Sequence, residues 1–190
     1  MSKSYFLQDE FVALRLLEAD DAEQCTQWMN DSAVTKWMVM NTFPHAEVDC
    51  KKELESLQGA LPGPLQPLKF PTVLPFAILL PTMGMHIGNV GLFSINWVAR
   101  SAEIRVLIGN NRCLRKGYAT VAYTLLITYA FQTLGLHRIS AGYTFGNIAS
   151  KRLHVKLGFS VEGKRREAIF RNGKWIHAIE VGLLASEWKP

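Results

Sequence analysis

The feature that most constrains the fold is the succession from Glu103 to Tyr143: a strand-like run Glu103–Ile108, the short basic turn Leu114-Arg115-Lys116-Gly117, an apolar helix-like run Tyr118–Leu134, and a second strand-like run Arg138–Tyr143. A strand that follows a strand through a helix returns parallel to it, in a right-handed crossover. Runs on either side read instead as antiparallel hairpins. His86–Asn96 and Ala102–Ile108 alternate around a turn near Ala99-Arg100-Ser101, and Ser160–Phe170 and Lys174–Leu184 flank Arg171-Asn172-Gly173, whose Asn-Gly is the strongest short hairpin signal. One parallel pair is therefore set among antiparallel neighbours.

The remaining elements complete a βααβββαβαββ order. Val12–Leu17 reads as a first strand, and Glu18-Ala19-Asp20-Asp21 supplies a cap and an acidic first turn for a helix through Trp28. A second helix covers Ala46–Leu57, and Phe76–Leu80 is a strand. Val121, Ala122, Leu125, Leu126, Tyr129, Ala130 and Leu134 repeat at helical spacing, as on a helix packed against a sheet, and Gly135 ends it. Asn147 can cap a short helix Ala149–Leu157. The segment Met29–Phe43, rich in Trp, Met and Val without clean periodicity, reads as a loop or distorted helix. Prolines 62, 64, 67, 71 and 75 exclude regular structure over about 59–75, which reads as a loop inserted in one domain spanning residues 1–190, either a lid or a plain surface loop.

A helix opened by a basic, Gly-containing turn presents unpaired N–H groups at the positive end of its dipole. Arg115 and Lys116 add charge there, and the main-chain donors from Arg115 through Ala119, with the Thr120 hydroxyl, form a cradle suited to a diphosphate. The alternative is an ordinary helix start.

With Asn147-x-x-Ser150 and Gly158-Phe159 following at this spacing, the chain resembles the GCN5-related N-acetyltransferase (GNAT) family, and within it the RimJ/RimL-like branch, from about Val12 to Trp188. The family's signature Gln/Arg-x-x-Gly-x-Gly/Ala reads here Leu114-x-x-Gly117-x-Ala119; the departure at Leu114 removes one side chain and leaves the amides. The resemblance implies an α/β (α+β) fold with a mixed, mostly antiparallel central sheet, helices on both faces, and two splayed parallel strands that bind the cofactor. It implies acetyl-CoA as cosubstrate without a metal, and transfer of acetyl to a primary amine by direct attack in a ternary complex. The acceptor is then a protein N-terminus of the ribosomal-protein type or a small amine. An amino-sugar nucleotide is an alternative acceptor, and a catalytically inactive acyl-CoA-binding module is an alternative role.

By the same resemblance, backbone groups of Val106, Leu107 and Ile108 bond the pantetheine arm, Arg115, Lys116, Gly117, Tyr118, Ala119 and Thr120 hold the diphosphate, and Asn147 contacts the coenzyme. Asn147 also reads as a pure helix cap, and both roles can coexist. Glu103 is the general-base candidate; the competing reading pairs it with Arg105 or Arg100 as a plain surface ion pair. His154 stands where many members carry a tyrosine that protonates the departing thiolate, with Ser150 one turn earlier on the same face as the competing donor. His177 and Glu180 fall near the acceptor, and Met29–Phe43 walls its pocket. His86 and His137 have no partner in view. Trp28, Trp37, Trp97, Trp175 and Trp188 read as core or pocket wall.

Composition narrows the rest. The chain has 190 residues, 48% hydrophobic and 19% charged, with a net charge of +5. That is enough for one sizeable core, and part of the basic excess is explained by coenzyme phosphates facing Arg115, Lys116, Lys151 and Arg152. There is no continuous basic stripe interleaved with aromatics, which argues against direct nucleic-acid binding. Without an apolar run near the roughly 20 residues that span a bilayer, and without a signal-peptide core, the expectation is a cytoplasmic protein. Cys25, Cys50 and Cys113 are too scattered for a disulfide framework or zinc site and read as free thiols. The resemblance leaves room for a homodimer through the final hairpin.

Overall fold

The computed structural model describes residues 5–38, 43–61 and 70–190. Eight strands form one sheet: β1 Leu7–Gln8, β2 Ala13–Leu16, β3 Leu74–Leu80, β4 Met85–Asn96, β5 Ser101–Ile108, β6 Arg138–Thr144, β7 Ser160–Arg171 and β8 Lys174–Leu184. Their order is β1-β2-β3-β4-β5-β6-β8-β7, and every neighbouring pair is antiparallel except β5–β6. The helices are α1 Ala22–Asn30, α2 Ser32–Thr35, α3 Glu47–Ala60, α4 Tyr118–Gln132 and α5 Ile148–Lys156. Two elements add to the expected order: the two-residue edge strand β1, too short to leave a periodic trace, and α2, which Asp31 caps by accepting from the Ala33 amide.

Alternation along β3 separates the two faces. Phe76, Ile78 and Leu80 join the main core with α4, while Ala77 and Leu79 pack with Leu17, Ala22 and Leu54 under α1 and α3. Helices thus cover both faces. α4 brings Ala122, Tyr123, Leu126, Ile127 and Ala130 fully into the main core against Ile104, Ile139 and Leu183, each large aliphatic there contributing about 1.5–3 kcal/mol. Gly135 takes φ +65° just beyond α4, the left-handed conformation in which helices commonly end.

Under α1 a polar knot is buried. Arg15 meets Asp21 through two hydrogen bonds of 2.7 Å, and Asp21 also accepts from the Glu18 amide at 2.8 Å. Burial pushes the Asp21 carboxyl up, but Arg15 and the Glu18 amide bring it to a net position below its ordinary value. His86, expected to lack partners, stands with Nδ1 3.5 Å from Asp21 Oδ1 and Nε2 within reach of Gly88 O and Asn89 Oδ1. Its β4 neighbours turn it into this knot, an encounter that strand alternation does not announce.

Of the proline-rich segment expected over 59–75, residues 62–69 lie outside the described residues; its ends are regular where a loop was expected, α3 reaching Ala60 on one side and β3 beginning at Leu74, with Pro75 inside it, on the other. The thiols of Cys25, Cys50 and Cys113 are unbridged, Cys113 within the core. No helix among the described residues is long and apolar enough to cross a membrane.

Candidate active site: the cleft where two parallel strands part

β5 and β6 pair only from Ser101↔Arg138 to Glu103↔Ser140, although β5 runs on to Ile108 and β6 to Thr144. Beyond Glu103 the strands diverge, leaving main-chain groups that face no neighbouring strand. A cleft of about 1480 Å³ opens there. β5 gives one wall, with Arg105, Val106, Leu107 and Ile108; Ser140–Thr144 of β6 and Ala178–Val181 of β8 give another. Leu114–Thr120, the first turns of α5 and Val34, Trp37 and Met38 complete the lining.

The cradle has the geometry that the sequence suggests. Arg115 and Gly117 both take left-handed conformations, φ 61° and 86°. Among the described residues, the amides of Arg115, Lys116, Gly117, Tyr118 and Ala119 donate to no backbone carbonyl, and the first closed bond of the helix is Thr120 N–H to Gly117 O at 2.8 Å. A Cβ built on Gly117 would meet nothing within 4 Å, so the turn opens onto free space. Five consecutive free donors at the start of a 15-residue helix, beside two cations, suit a diphosphate.

Ten of the anticipated residues line the cleft: Glu103, Val106, Leu107, Ile108, Arg115, Gly117, Ala119, Thr120, Asn147 and Ser150. Lys116 is exposed beside it, and Tyr118 contributes its amide while its ring packs on the core. Asn147 caps α5, its Oδ1 accepting from the Ser150 amide at 3.1 Å. Its Nδ2 makes no hydrogen bond among the described residues, so cap and ligand contact are compatible.

The expectation that His154 faces the cleft is not met. It is 3% exposed and enclosed by the rings of Tyr123, Tyr143 and Phe159. Its Nδ1 lies 2.8 Å from the Ser150 carbonyl, which assigns the proton to Nδ1 and leaves Nε2 a buried acceptor without a partner among the described residues. Burial holds the imidazole below its ordinary value. A neutral ring with its one proton engaged is poorly suited to donate. Ser150, one turn earlier, does line the cleft, its hydroxyl 3.4 Å from His154 Nδ1.

Glu103 meets both readings offered for it: it lines the cleft and holds Arg105 through two hydrogen bonds of 2.7 and 2.9 Å. Two further ion pairs, not anticipated, face the same space. Arg138 holds Glu162, whose carboxyl it brings below the usual carboxylate range, and Arg165 Nε lies 2.9 Å from Glu180 Oε1. Each joins residues of different strands, so only the sheet register could have revealed them. His177 is drawn away; its Nδ1 accepts from the Glu167 amide at a bulge of β7. Trp175, expected in core or wall, is 62% exposed on the last hairpin, its ring tilted 54° against that of Phe170.

Residues 12–160 match the family model described as the Acetyltransferase (GNAT) domain. The chain belongs to the GNAT acetyltransferase family. This N-acetyltransferase uses acetyl-CoA as its acetyl donor. It is 28% identical over 191 residues to the Bacillus subtilis (strain 168) protein named "Putative ribosomal N-acetyltransferase YdaF", covering 95% of each chain. It is 33% identical over 105 residues to the spermidine N(1)-acetyltransferase of Escherichia coli (strain K12), covering 55% of this chain and 56% of that one. In fold the acetyltransferase resembles the Vibrio cholerae spermidine N-acetyltransferase solved in complex with CoA and spermine, with a TM-score of 0.79 at 24% identity over 94% of this chain and 98% of the other.

Proposed function

We propose that this N-acetyltransferase acetylates the α-amine of a peptide or protein N-terminus, by direct attack in a ternary complex, in preference to a polyamine. The observation that carries the reading is the pairing of charges in the cleft. Glu103, Glu162 and Glu180, the carboxylates that line it, are each held by an arginine: Arg105, Arg138 and Arg165. A polyamine needs unpaired carboxylates for its distal ammonium groups, and breaking an existing pair to provide one forfeits what that pair contributes. A peptide N-terminus brings one positive charge, which it must shed before it reacts. An amino-sugar nucleotide would need unpaired cations at the acceptor end, where Arg138 and Arg165 are already engaged.

The residues fit acetyl-CoA. The amides of Arg115, Lys116, Gly117, Tyr118 and Ala119, with the Thr120 hydroxyl, hold the diphosphate, and the Arg115 and Lys116 side chains add long-range attraction. The unpaired edge of β5, at Val106 and Ile108, bonds the pantetheine amides as a neighbouring strand would, the Leu107 main chain between them being turned to β4, and the Asn147 Nδ2 adds a donor. When bound, the coenzyme supplies an acetyl group activated as a thioester.

The chain's own groups then manage the protons. An α-ammonium has a pKa near 8, so only modest help is needed, and Glu103 takes the proton directly or through water. The register of β5 on β4, in which Leu107 faces Asn89, commits the Leu107 amide to β4, so a main-chain donor turned to the gap, at Val106 or Ile108, stabilises negative charge developing on the acyl oxygen. Ser150 is the proton donor to the departing sulfur, in place of His154.

The test is radiolabelled acetyl transfer to a peptide with a free N-terminus, the same peptide blocked at its N-terminus, and spermidine. The free peptide should be turned over with kcat/KM at least about tenfold above spermidine, and the blocked peptide not at all. Preference for spermidine, or equal labelling of the blocked peptide through lysine, refutes the assignment.

A further inference from the structure

We propose that Arg171 is a positioning residue for the acceptor: it fastens the segment carrying Trp37 across the cleft and so fixes one wall of the acceptor site. The inference rests on the acetyl-transfer reading above for its kinetic consequence, though not for its geometry.

Three consecutive carbonyls of this segment are held from β6 and the last hairpin. Arg171 Nη1 donates to Lys36 O and Nη2 to Met38 O, while the Thr144 hydroxyl donates to Trp37 O at 3.1 Å. The two anchors come from rigid places. Arg171 ends β7 beside the Asn172-Gly173 turn and pairs with Lys174 across it, and Thr144 is 1% exposed at the end of β6. The Trp37 ring rests on Gly146, where a Cβ would lie 3.6 Å from it. Thus a segment remote in sequence is bound to β6 and the last hairpin at three successive residues.

A guanidinium suits this task because its two terminal nitrogens form a fixed planar fork, able to serve two carbonyls of the turn at once. A lysine ammonium reaches one at a time. The fastened segment presents Trp37 and Met38 to the cleft, with Val34 just before them. The cradle at Arg115–Ala119 is a separate part of the lining, at the start of α4. Loosening the segment therefore alters the acceptor site and leaves the donor site intact.

The experiment compares wild type, Arg171→Ala and Arg171→Lys, each labelled with 5-fluorotryptophan, the Trp37 resonance being identified by its loss in Trp37→Phe. Arg171→Ala should raise KM for the peptide by about tenfold, as expected for lost hydrogen bonds from a charged donor, with KM for acetyl-CoA within about twofold of wild type. Arg171→Lys should fall between the two, and the Trp37 fluorine signal should shift and sharpen in both variants. An unchanged peptide KM, a parallel rise in both KM values as in a general loss of structure, or an unmoved Trp37 signal overturns the proposal. Should wild type acetylate no peptide, the functional reading fails by itself, and the fastening then stands or falls on the fluorine signal.

Discussion

Glu103 and Arg105 stand two residues apart on one face of β5 and are locked as a forked ion pair, with Nε 2.7 Å from Oε1 and Nη2 2.9 Å from Oε2, where β5 and β6 part company. The guanidinium also lies over the Phe93 ring, 4.8 Å from its centroid. The fork fixes the orientation of the carboxylate. Because both side chains are substantially exposed, Arg105 at 57% and Glu103 at 35%, the pair adds at most about 1 kcal/mol to stability.

Glu103→Gln should therefore separate catalysis from folding. We expect kcat to fall about 100-fold, with the melting temperature shifted by only a few degrees and acetyl-CoA affinity, read by calorimetry, unchanged. A kcat near wild type would reduce Glu103 to a surface charge.

At Gly117, φ of 86° and free space around a would-be Cβ lead to a different separation. Gly117→Val meets no packing clash, so its stability cost is that of left-handed backbone, about 1–2 kcal/mol. The added side chain projects into the cradle, and acetyl-CoA affinity should weaken at least about tenfold, well beyond the stability change. Calorimetry beside thermal unfolding measures both. Intact affinity would mean that the amides of Arg115–Ala119 hold nothing.

Gly88 faces β5 across the β4–β5 ladder, and a Cβ there would lie 2.2 Å from the Leu107 carbonyl oxygen. Backbone cannot yield as a side-chain tip would. Gly88→Ala should destabilise the fold by about 3 kcal/mol and displace Leu107, lowering kcat in whatever protein remains folded. Denaturant titration and turnover per folded molecule test the two effects; a variant as stable as wild type would contradict the close approach.

His154 allows a test by pH. Burial holds its imidazole below the ordinary value, so the folded protein binds this proton less readily than the unfolded chain does. Its contribution to stability is then whole above the unfolded pKa, near 6.5, and is lost as pH falls below it. His86, likewise lowered by burial, adds in the same direction. His154→Phe fills the same aromatic niche, and should be within about 1.5 kcal/mol of wild type at pH 7.5 while losing less stability between pH 7 and 5. On the proposal that Ser150 supplies the proton, it should also keep most of its activity. A large loss of kcat with intact folding would return His154 to the reaction.

The sheet, its parallel pair and the cradle were legible because each depends on local pattern: two-residue alternation in β4 and β5, helical spacing in α4, glycine where φ is positive. What escaped depends on distant partners. Nothing around His154 in sequence announces Tyr123, Tyr143 and Phe159 closing over it, and helical spacing alone leaves open which flank of α5 is turned to the cleft. The His86 encounter with Asp21 and the grip of Thr144 on Trp37 join residues 65 and 107 positions apart. Glu162 and Glu180 meet their arginines only once β7 and β8 are in register.

The seam between β5 and β6 comprises three residue pairs, from Ser101↔Arg138 to Glu103↔Ser140. Mechanically, the sheet is two plates stitched along one short edge and backed by α4, so flexing concentrates at that stitch. Whatever lies in the wedge acts as a splint, tying the plates together in proportion to its own occupancy. Substrate loading and rigidity of the whole molecule are then a single event, and protease resistance or slowed amide exchange across the far β7–β8 plate reports filling of a gap that it does not touch.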